Sequence, residues 1–199
     1  MNKNNNVHGH VHSGMSSAGF LNAAEILDAG GLKKGQIVLD IGSGTGYIAL
    51  AAVSFVGSDG KVFAVDADEK AIAALNRVIS GQNISNLTAI CEDVTRHISV
   101  PEKSIDVCLM VNVLHGFVIN KEVNDVFHAL APTLKEKAKL VVIDFKKDLT
   151  KPGPPQEIRL LPKDIEAMLH IWGFVSERVF EAGPFHFGQV LWKDNSSAL

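Results

Sequence analysis

The residues best suited to chemistry in this chain lie in "VLDIGSGTGYIAL", Val38 to Leu50. Three glycines alternate at Gly42, Gly44 and Gly46, and Asp40 stands two residues ahead of the first. Glycines so placed let a ligand approach the main chain closely and let the chain turn tightly into a helix. The helix start beyond them offers unpaired N–H groups and a partial positive charge, which suits an anionic group. A dinucleotide fingerprint would need another glycine where Tyr47 stands. An acid at Asp40 would also sit poorly beside a pyrophosphate. It matches a ligand that carries a cationic group. Both observations argue against a nicotinamide-dependent oxidoreductase.

Acids also close the next two apolar runs, Asp66 in "KVFAVD" and Asp93 in "LTAICED", and His115 follows a further run, "IDVCLMVNVL". An imidazole at that point can exchange a proton with a substrate, or it can simply cap or pack. The acids have an alternative as well, as helix caps or solvated turns. Asp68 is available to cap the helix after Asp66, and Asp93 precedes Val94 and Thr95 in a turn-like segment.

The elements that must position these groups follow an alternating pattern. Apolar residues at Phe20, Ala23, Ala24 and Leu27 predict an amphipathic helix over Ser17–Ala29, stopping at Gly30 and Gly31. "QIVLDI" (Gln36–Ile41) is nearly continuous in apolar residues, as suits a central parallel strand covered on both faces. A helix from Gly46 to Phe55, a strand at Lys61–Asp66 and a helix through Ala71–Ile79 come next. Strands follow at Leu87–Asp93 and Ile105–Leu114, then a helix over Lys121–Leu134 interrupted at Pro132, and a strand at Lys139–Phe145. Ile165, Met168, Leu169 and Trp172 mark a last helix, with Pro162 near its start. "FVSERVFEA" and "FGQVLWK" leave no room for a crossover helix, so they pair antiparallel. The result is an α/β fold: a doubly wound Rossmann-like seven-stranded sheet, mostly parallel with a terminal antiparallel strand and helices on both faces. In such a sheet the ligand site lies beyond the carboxyl ends of the strands, where the winding reverses.

Composition agrees with this organisation. The chain has 199 residues, 46% of them apolar, enough for one domain with a full core. Residues 1–16 are polar and read as a flexible tail, and 17–199 as a single domain. The formal net charge of −3 argues against a nucleic-acid partner, and the lysines between Lys135 and Lys151 are interleaved with Glu136, Asp144 and Asp148. Both cysteines, Cys91 and Cys108, sit in or beside strand-like runs and are expected as small core hydrophobes of a reducing compartment. No signal peptide or membrane span is legible, so a cytoplasmic protein without stable membrane insertion, monomer or homodimer, is expected.

"LDIGSGTG" resembles the first motif of the class I S-adenosylmethionine-dependent methyltransferases, an acid followed by G-x-G-x-G, and the likeness runs from about Leu32 to Trp192. "VFAVDAD" is similar to the family's second-strand motif, whose terminal acid binds the ribose hydroxyls; here that is Asp66. "CEDV" resembles the segment beside the adenine, with Asp93 in the acidic position. "IDVCLMVNVLH" and "KLVVIDF" resemble the fourth- and fifth-strand motifs, and "GPPQEIRLLPKDIEAML" is similar to small ubiquinone/menaquinone-biosynthesis-like and arsenite-methyltransferase-like members. The resemblance implies methyl transfer from S-adenosylmethionine to a small-molecule acceptor, with S-adenosylhomocysteine as product. It implies a cofactor site of Asp40, Gly42, Ser43, Gly44, Gly46, Asp66, Ala67, Asp93, Val94 and Asn112, with Ala67 and Val94 flanking the base. His115 is then the candidate catalytic base or substrate contact, and no metal is expected. With only two cysteines, the chain departs from the arsenite enzymes, which hold arsenic by a set of thiols. A cofactor-binding regulatory protein without catalysis is the alternative.

Three further features bear on the acceptor. His8, His10 and His12 share a face if extended and could gather a metal, although a plain tail is the simpler reading. The tail could also fold over the site and bring Met15 or Phe20 to the substrate. "KKDLTKPGPPQEIR" (Lys146–Arg159) is expected to wall the acceptor site, with Lys146 or Arg159 recognising an anion. Phe185, His186 and Phe187 are expected to pack near a sheet edge.

Overall fold

The computed structural model describes residues 19–148 and 152–194. Its strands are β1 (Ile37–Ile41), β2 (Lys61–Asp66), β3 (Leu87–Cys91), β4 (Ile105–Val111), β5 (Leu134–Phe145), β6 (Phe174–Glu181) and β7 (His186–Lys193). Its helices are α1 (Ala23–Ala29), α2 (Tyr47–Val56), α3 (Glu69–Gly81), α4 (Leu114–Ile119), α5 (Val123–Leu130) and α6 (Pro162–Leu169). The strands form one sheet in the order β3-β2-β1-β4-β5-β7-β6. β1 to β5 are mutually parallel, and β7 runs antiparallel between β5 and β6.

The central strands are apolar throughout because both of their faces are covered. On β1, Val38 packs with α1, α2 and Leu75 of α3, whereas Leu39 and Ile41 pack on the opposite face with α4, α5 and α6. Successive side chains of a strand point to opposite faces, so a continuous apolar run feeds two cores at once. Each fully buried aliphatic side chain contributes roughly 1.5–3 kcal/mol. The winding reverses between β1 and β4, which are neighbours in the sheet although β2 and β3 intervene in the chain. The loops leaving those two strands therefore open a crevice at one end of the sheet.

Several boundaries differ from the sequence reading, each for a local reason. The first helix starts at Ala23 because the Asn22 side chain accepts from Ala24 N and Glu25 N and caps it there. β3 ends at Cys91, and Asp93 lies in the turn beyond it. β4 ends at Val111: Asn112 takes a left-handed φ of 59°, and a short helix, α4, follows where the strand was expected to continue. α5 stops at Leu130, Pro132 falls in a 3-10 turn, and Leu134 already begins β5. Cys108 is buried as expected, but Cys91 is exposed, because β3 is an edge strand and ends there. Among the described residues no helix is long and apolar enough to cross a membrane, and no cluster of metal-ligating side chains is found. Met15, His8, His10 and His12, singled out in the sequence, lie outside the described residues.

Candidate active site

The glycine loop after β1 takes left-handed backbone at all three glycines, with φ of +69° at Gly42, +53° at Gly44 and +86° at Gly46. They serve different ends. A Cβ on Gly42 would clash with Val113 Cγ1, and one on Gly46 with Leu75 Cδ1. These two glycines allow close packing against the chain leaving β4 and against α3. A Cβ on Gly44 would meet nothing within 4 Å, so this glycine leaves open space for a ligand. Gly42 N and Ser43 N donate to Val65 O at 2.8 and 3.1 Å, which fixes the loop to β2.

Asp40, the penultimate residue of β1, is 2% exposed. The Ala49 main-chain N–H, in the first turn of α2, favours the charged form of its carboxyl, while Oδ2 has no partner among the described residues. Burial, reinforced by the neighbouring Asp66 charge, pushes this carboxyl from 3.8 up to about 7. Ser43 Oγ is likewise buried without a partner among the described residues. Buried polar atoms are rarely left so, and a ligand that supplies donors would relieve them.

Asp66, at the end of β2, accepts from Gly44 N at 2.7 Å and from Asp68 N at 2.8 Å. Asp68 itself caps α3, as its place in the sequence suggested. Asp93 accepts from Thr95 N and Thr95 Oγ1 at 3.0 and 2.6 Å and pairs with Arg96 at 3.4 Å. It therefore acts as a turn cap while also bordering the crevice. Ala67 and Val94 border it beside these acids.

At the exit of β4, Asn112 N donates to Ile143 O at 2.8 Å, and the left-handed turn at Asn112 aims the start of α4 at the crevice. His115 Nδ1 lies 2.9 and 3.1 Å from the two oxygens of Asp144, and His115 N donates to Asp144 Oδ2 at 3.3 Å. Asp144 was not singled out from the sequence. The signal was there, because it is the penultimate residue of β5 just as Asp40 is of β1. Phe145, Gly153 and Pro154 form the wall beyond, and Phe20 and Phe117 complete the apolar lining.

Together these residues enclose a cavity of about 760 Å³, within the usual size range for a small-molecule site. Of the residues proposed for the site, Gly46, Lys146 and Arg159 do not line it. Lys146 turns to Glu181 and to Pro184 O. Arg159 is 1% exposed and donates to the carbonyls of Lys146, Pro152 and Pro154 at 2.8–2.9 Å. A guanidinium used to gather loop carbonyls is a structural pin, so the expectation of an anion contact from Arg159 or Lys146 is corrected. His186, at the start of β7 and one strand in from the sheet edge, is fully buried against the Phe145 ring.

The cavity suits the nucleoside implied by the resemblance. Five carboxylates line it, from Asp40, Asp66, Asp68, Glu92 and Asp93, and among the described residues no lysine or arginine does. That charge balance fits a ligand carrying ammonium and sulfonium groups and disfavours a phosphate-bearing one.

Residues 38–137 match the family described as "Methyltransferase domain". A ubiquinone/menaquinone biosynthesis C-methyltransferase, UbiE, of Cellvibrio japonicus is 25% identical over 140 residues, which is 68% of this chain and 55% of that protein. The chain thus spans about half the length of that relative. Among solved structures, a SAM dependent methyltransferase from Aquifex aeolicus superposes with a TM-score of 0.80 at 25% identity, covering 91% of this chain and 94% of that one. A putative type 11 methyltransferase from Sulfolobus solfataricus gives a TM-score of 0.70 at 25% identity, covering 90% and 96%.

Proposed function

Because the chain belongs to the methyltransferase-domain family, we propose that it moves a methyl group from S-adenosylmethionine to a small-molecule acceptor and releases S-adenosylhomocysteine. The observation that carries this reading is the pair of buried oxygens, Asp40 Oδ2 and Ser43 Oγ, without a partner among the described residues, in a cavity lined by carboxylates. A cationic amino-acid group supplies the missing donors and charge there.

The cofactor residues divide the work by position. The glycine loop, with Gly44 open to the cavity, and the start of α2 receive the amino-acid end, with Asp40 balancing its ammonium. Asp66 accepts from the ribose hydroxyls, since carboxylate oxygens can accept more than the one backbone bond each makes here. Ala67 and Val94 flank the adenine, Asp93 accepts from its amino group, and the Val94 N–H donates to a ring nitrogen. Asn112 lines the methionine end through its backbone. When bound, the cofactor supplies a methyl group already activated by a sulfonium charge.

The chain's own contribution to the transfer is alignment and exclusion of water. Holding two reactants in line is worth several kcal/mol, up to roughly 7–11 in the best cases. The cavity walls from Val113, Phe117, Phe145 and Pro154 are suited to that role, and His115 contacts the acceptor beside them.

A thermal-shift panel of S-adenosylmethionine, S-adenosylhomocysteine, NAD and NADP tests this reading. Only the first two are expected to raise the melting temperature, by mass action on the folded state. A screen of methyl acceptors follows. Stabilisation by the nicotinamide nucleotides alone would overturn the reading, and binding without turnover on any acceptor or cell extract would make the chain a cofactor-binding regulator.

A further inference from the structure

We propose that Asp144 is the positioning residue for a proton acceptor at His115, and that the methyl acceptor is an uncharged, protic molecule with an apolar body. This rests on the methyl-transfer reading above and deepens it.

The Asp144 side chain is wholly buried, and its carboxyl holds His115 in two ways. It faces Nδ1 with both oxygens, at 2.9 and 3.1 Å, and it accepts from the His115 main-chain N–H at 3.3 Å. Oδ1 also accepts from Phe145 N at 2.8 Å, which fixes the carboxylate plane. A carboxylate only accepts, so Nδ1 carries a proton, and in the neutral ring Nε2 keeps its lone pair. Nε2 has no partner among the described residues, and His115 lines the cavity. A ring needed only for packing has no use for a buried acid that sets its tautomer.

The surroundings limit what can deliver a proton to Nε2. Among the described residues, Lys146 turns away to Glu181 and Arg159 to three loop carbonyls. An anionic acceptor would therefore meet carboxylates and, among the described residues, no counter-charge, an arrangement that burial makes costly. Phe20, Val113, Phe117, Phe145 and Pro154 instead offer an apolar enclosure. An acceptor without a proton to lose, such as a tertiary amine, would leave the dyad idle. Hydroxyl and thiol groups use it.

The step balances as follows. The acceptor's heteroatom–hydrogen bond breaks and its proton passes to Nε2. The electron pair left on the heteroatom forms the bond to the methyl carbon, and the carbon–sulfur bond breaks with its pair retained by sulfur. The imidazolium proton then returns to solvent. Base assistance of this kind typically contributes about 10²–10⁴-fold in rate.

The test uses the full chain saturated with S-adenosylhomocysteine, with calorimetric heat confirming occupancy. Nitrogen-edited NMR of the imidazoles is expected to show His115 protonated on Nδ1. In Asp144→Asn, the amide can place a donor against Nδ1, and the tautomer is expected to invert while the nucleoside still binds. Titration with para-cresol is expected to move the His115 resonances at several-fold lower concentration than titration with para-hydroxybenzoate. A wild-type proton on Nε2, an unchanged tautomer in Asp144→Asn, equal or better binding of the carboxylate probe, or no response of His115 to either probe would each overturn the proposal. Should Asp144→Asn fail to fold, the wild-type tautomer and the probe preference still decide. Absence of heat with wild-type protein would sink the methyl-transfer reading itself, whereas heat with the wrong tautomer sinks the dyad alone.

Discussion

Asp66 Oδ2 accepts a hydrogen bond from Gly44 N at 2.7 Å, tying the end of β2 to the loop that leaves β1. The acid assigned to the ribose thus orders the glycine loop before any ligand arrives. Asp66→Ala removes the tether together with the ligand contact, and is expected to cost about 1.5–3 kcal/mol of cofactor binding. Calorimetry with S-adenosylhomocysteine measures this, and an unchanged affinity would take Asp66 out of the site.

Two glycines of the same loop should separate stability from binding. Both Gly42 and Gly44 have left-handed backbone, so alanine at either is expected to cost on the order of 1–2 kcal/mol from φ alone. Gly42→Ala also drives a methyl into Val113, and is expected to lower the urea midpoint more than Gly44→Ala does. Gly44→Ala places its methyl in open space at a residue that lines the cavity, and is expected to fold but lose nucleoside binding. The reverse ranking in paired melts and titrations would contradict the assigned roles.

Asp40 gives the apo protein a pH dependence with a definite sign. Its carboxyl is raised from 3.8 to about 7, so between these values the folded state holds a proton that the unfolded state has released. Stability from this group therefore falls as pH rises through that window. A cationic ligand favours the carboxylate, so cofactor binding below about pH 7 is expected to release a proton. Calorimetry in buffers of different ionisation heat detects the release, and Asp40→Asn is expected to abolish it.

His186 acts in the opposite sense. Its ring is fully buried, centred 4.1 Å from the Phe145 ring, and neither nitrogen has a partner among the described residues. Desolvation lowers it from 6.5 to about 4, so stability falls as pH drops through that interval, where only the unfolded chain takes up the proton. His186→Leu removes unsatisfied polar atoms and is expected to stabilise the protein by about 1–3 kcal/mol near neutral pH. The gain should grow on acidification. Thermal melts that show a loss at acid pH would refute this account.

Much of the fold is legible because the parallel strands are covered on both faces and so read as unbroken apolar runs, as in "KLVVIDF" (Lys139–Phe145). The short helix α4 is not, because six residues with Gly116 among them carry no usable periodicity. The left-handed Asn112 that starts it looks like any strand residue in sequence. The first half of β5 is hidden by its exposed charges, Glu136 and Lys137. At the site, acids at strand ends are readable one at a time, but the His115–Asp144 pair joins residues 29 apart. It depends on β4 and β5 lying side by side in register. Lys146 and Arg159 illustrate the converse: a residue type says that charge is present, and only the folded loop says where its head group points.

The carboxylate-lined cavity has a kinetic corollary. On the proposed reaction, the nucleoside enters carrying a sulfonium and departs as a neutral thioether. The resting field of the walls therefore favours the incoming molecule over the spent one, biasing both expulsion and reloading toward the next turnover.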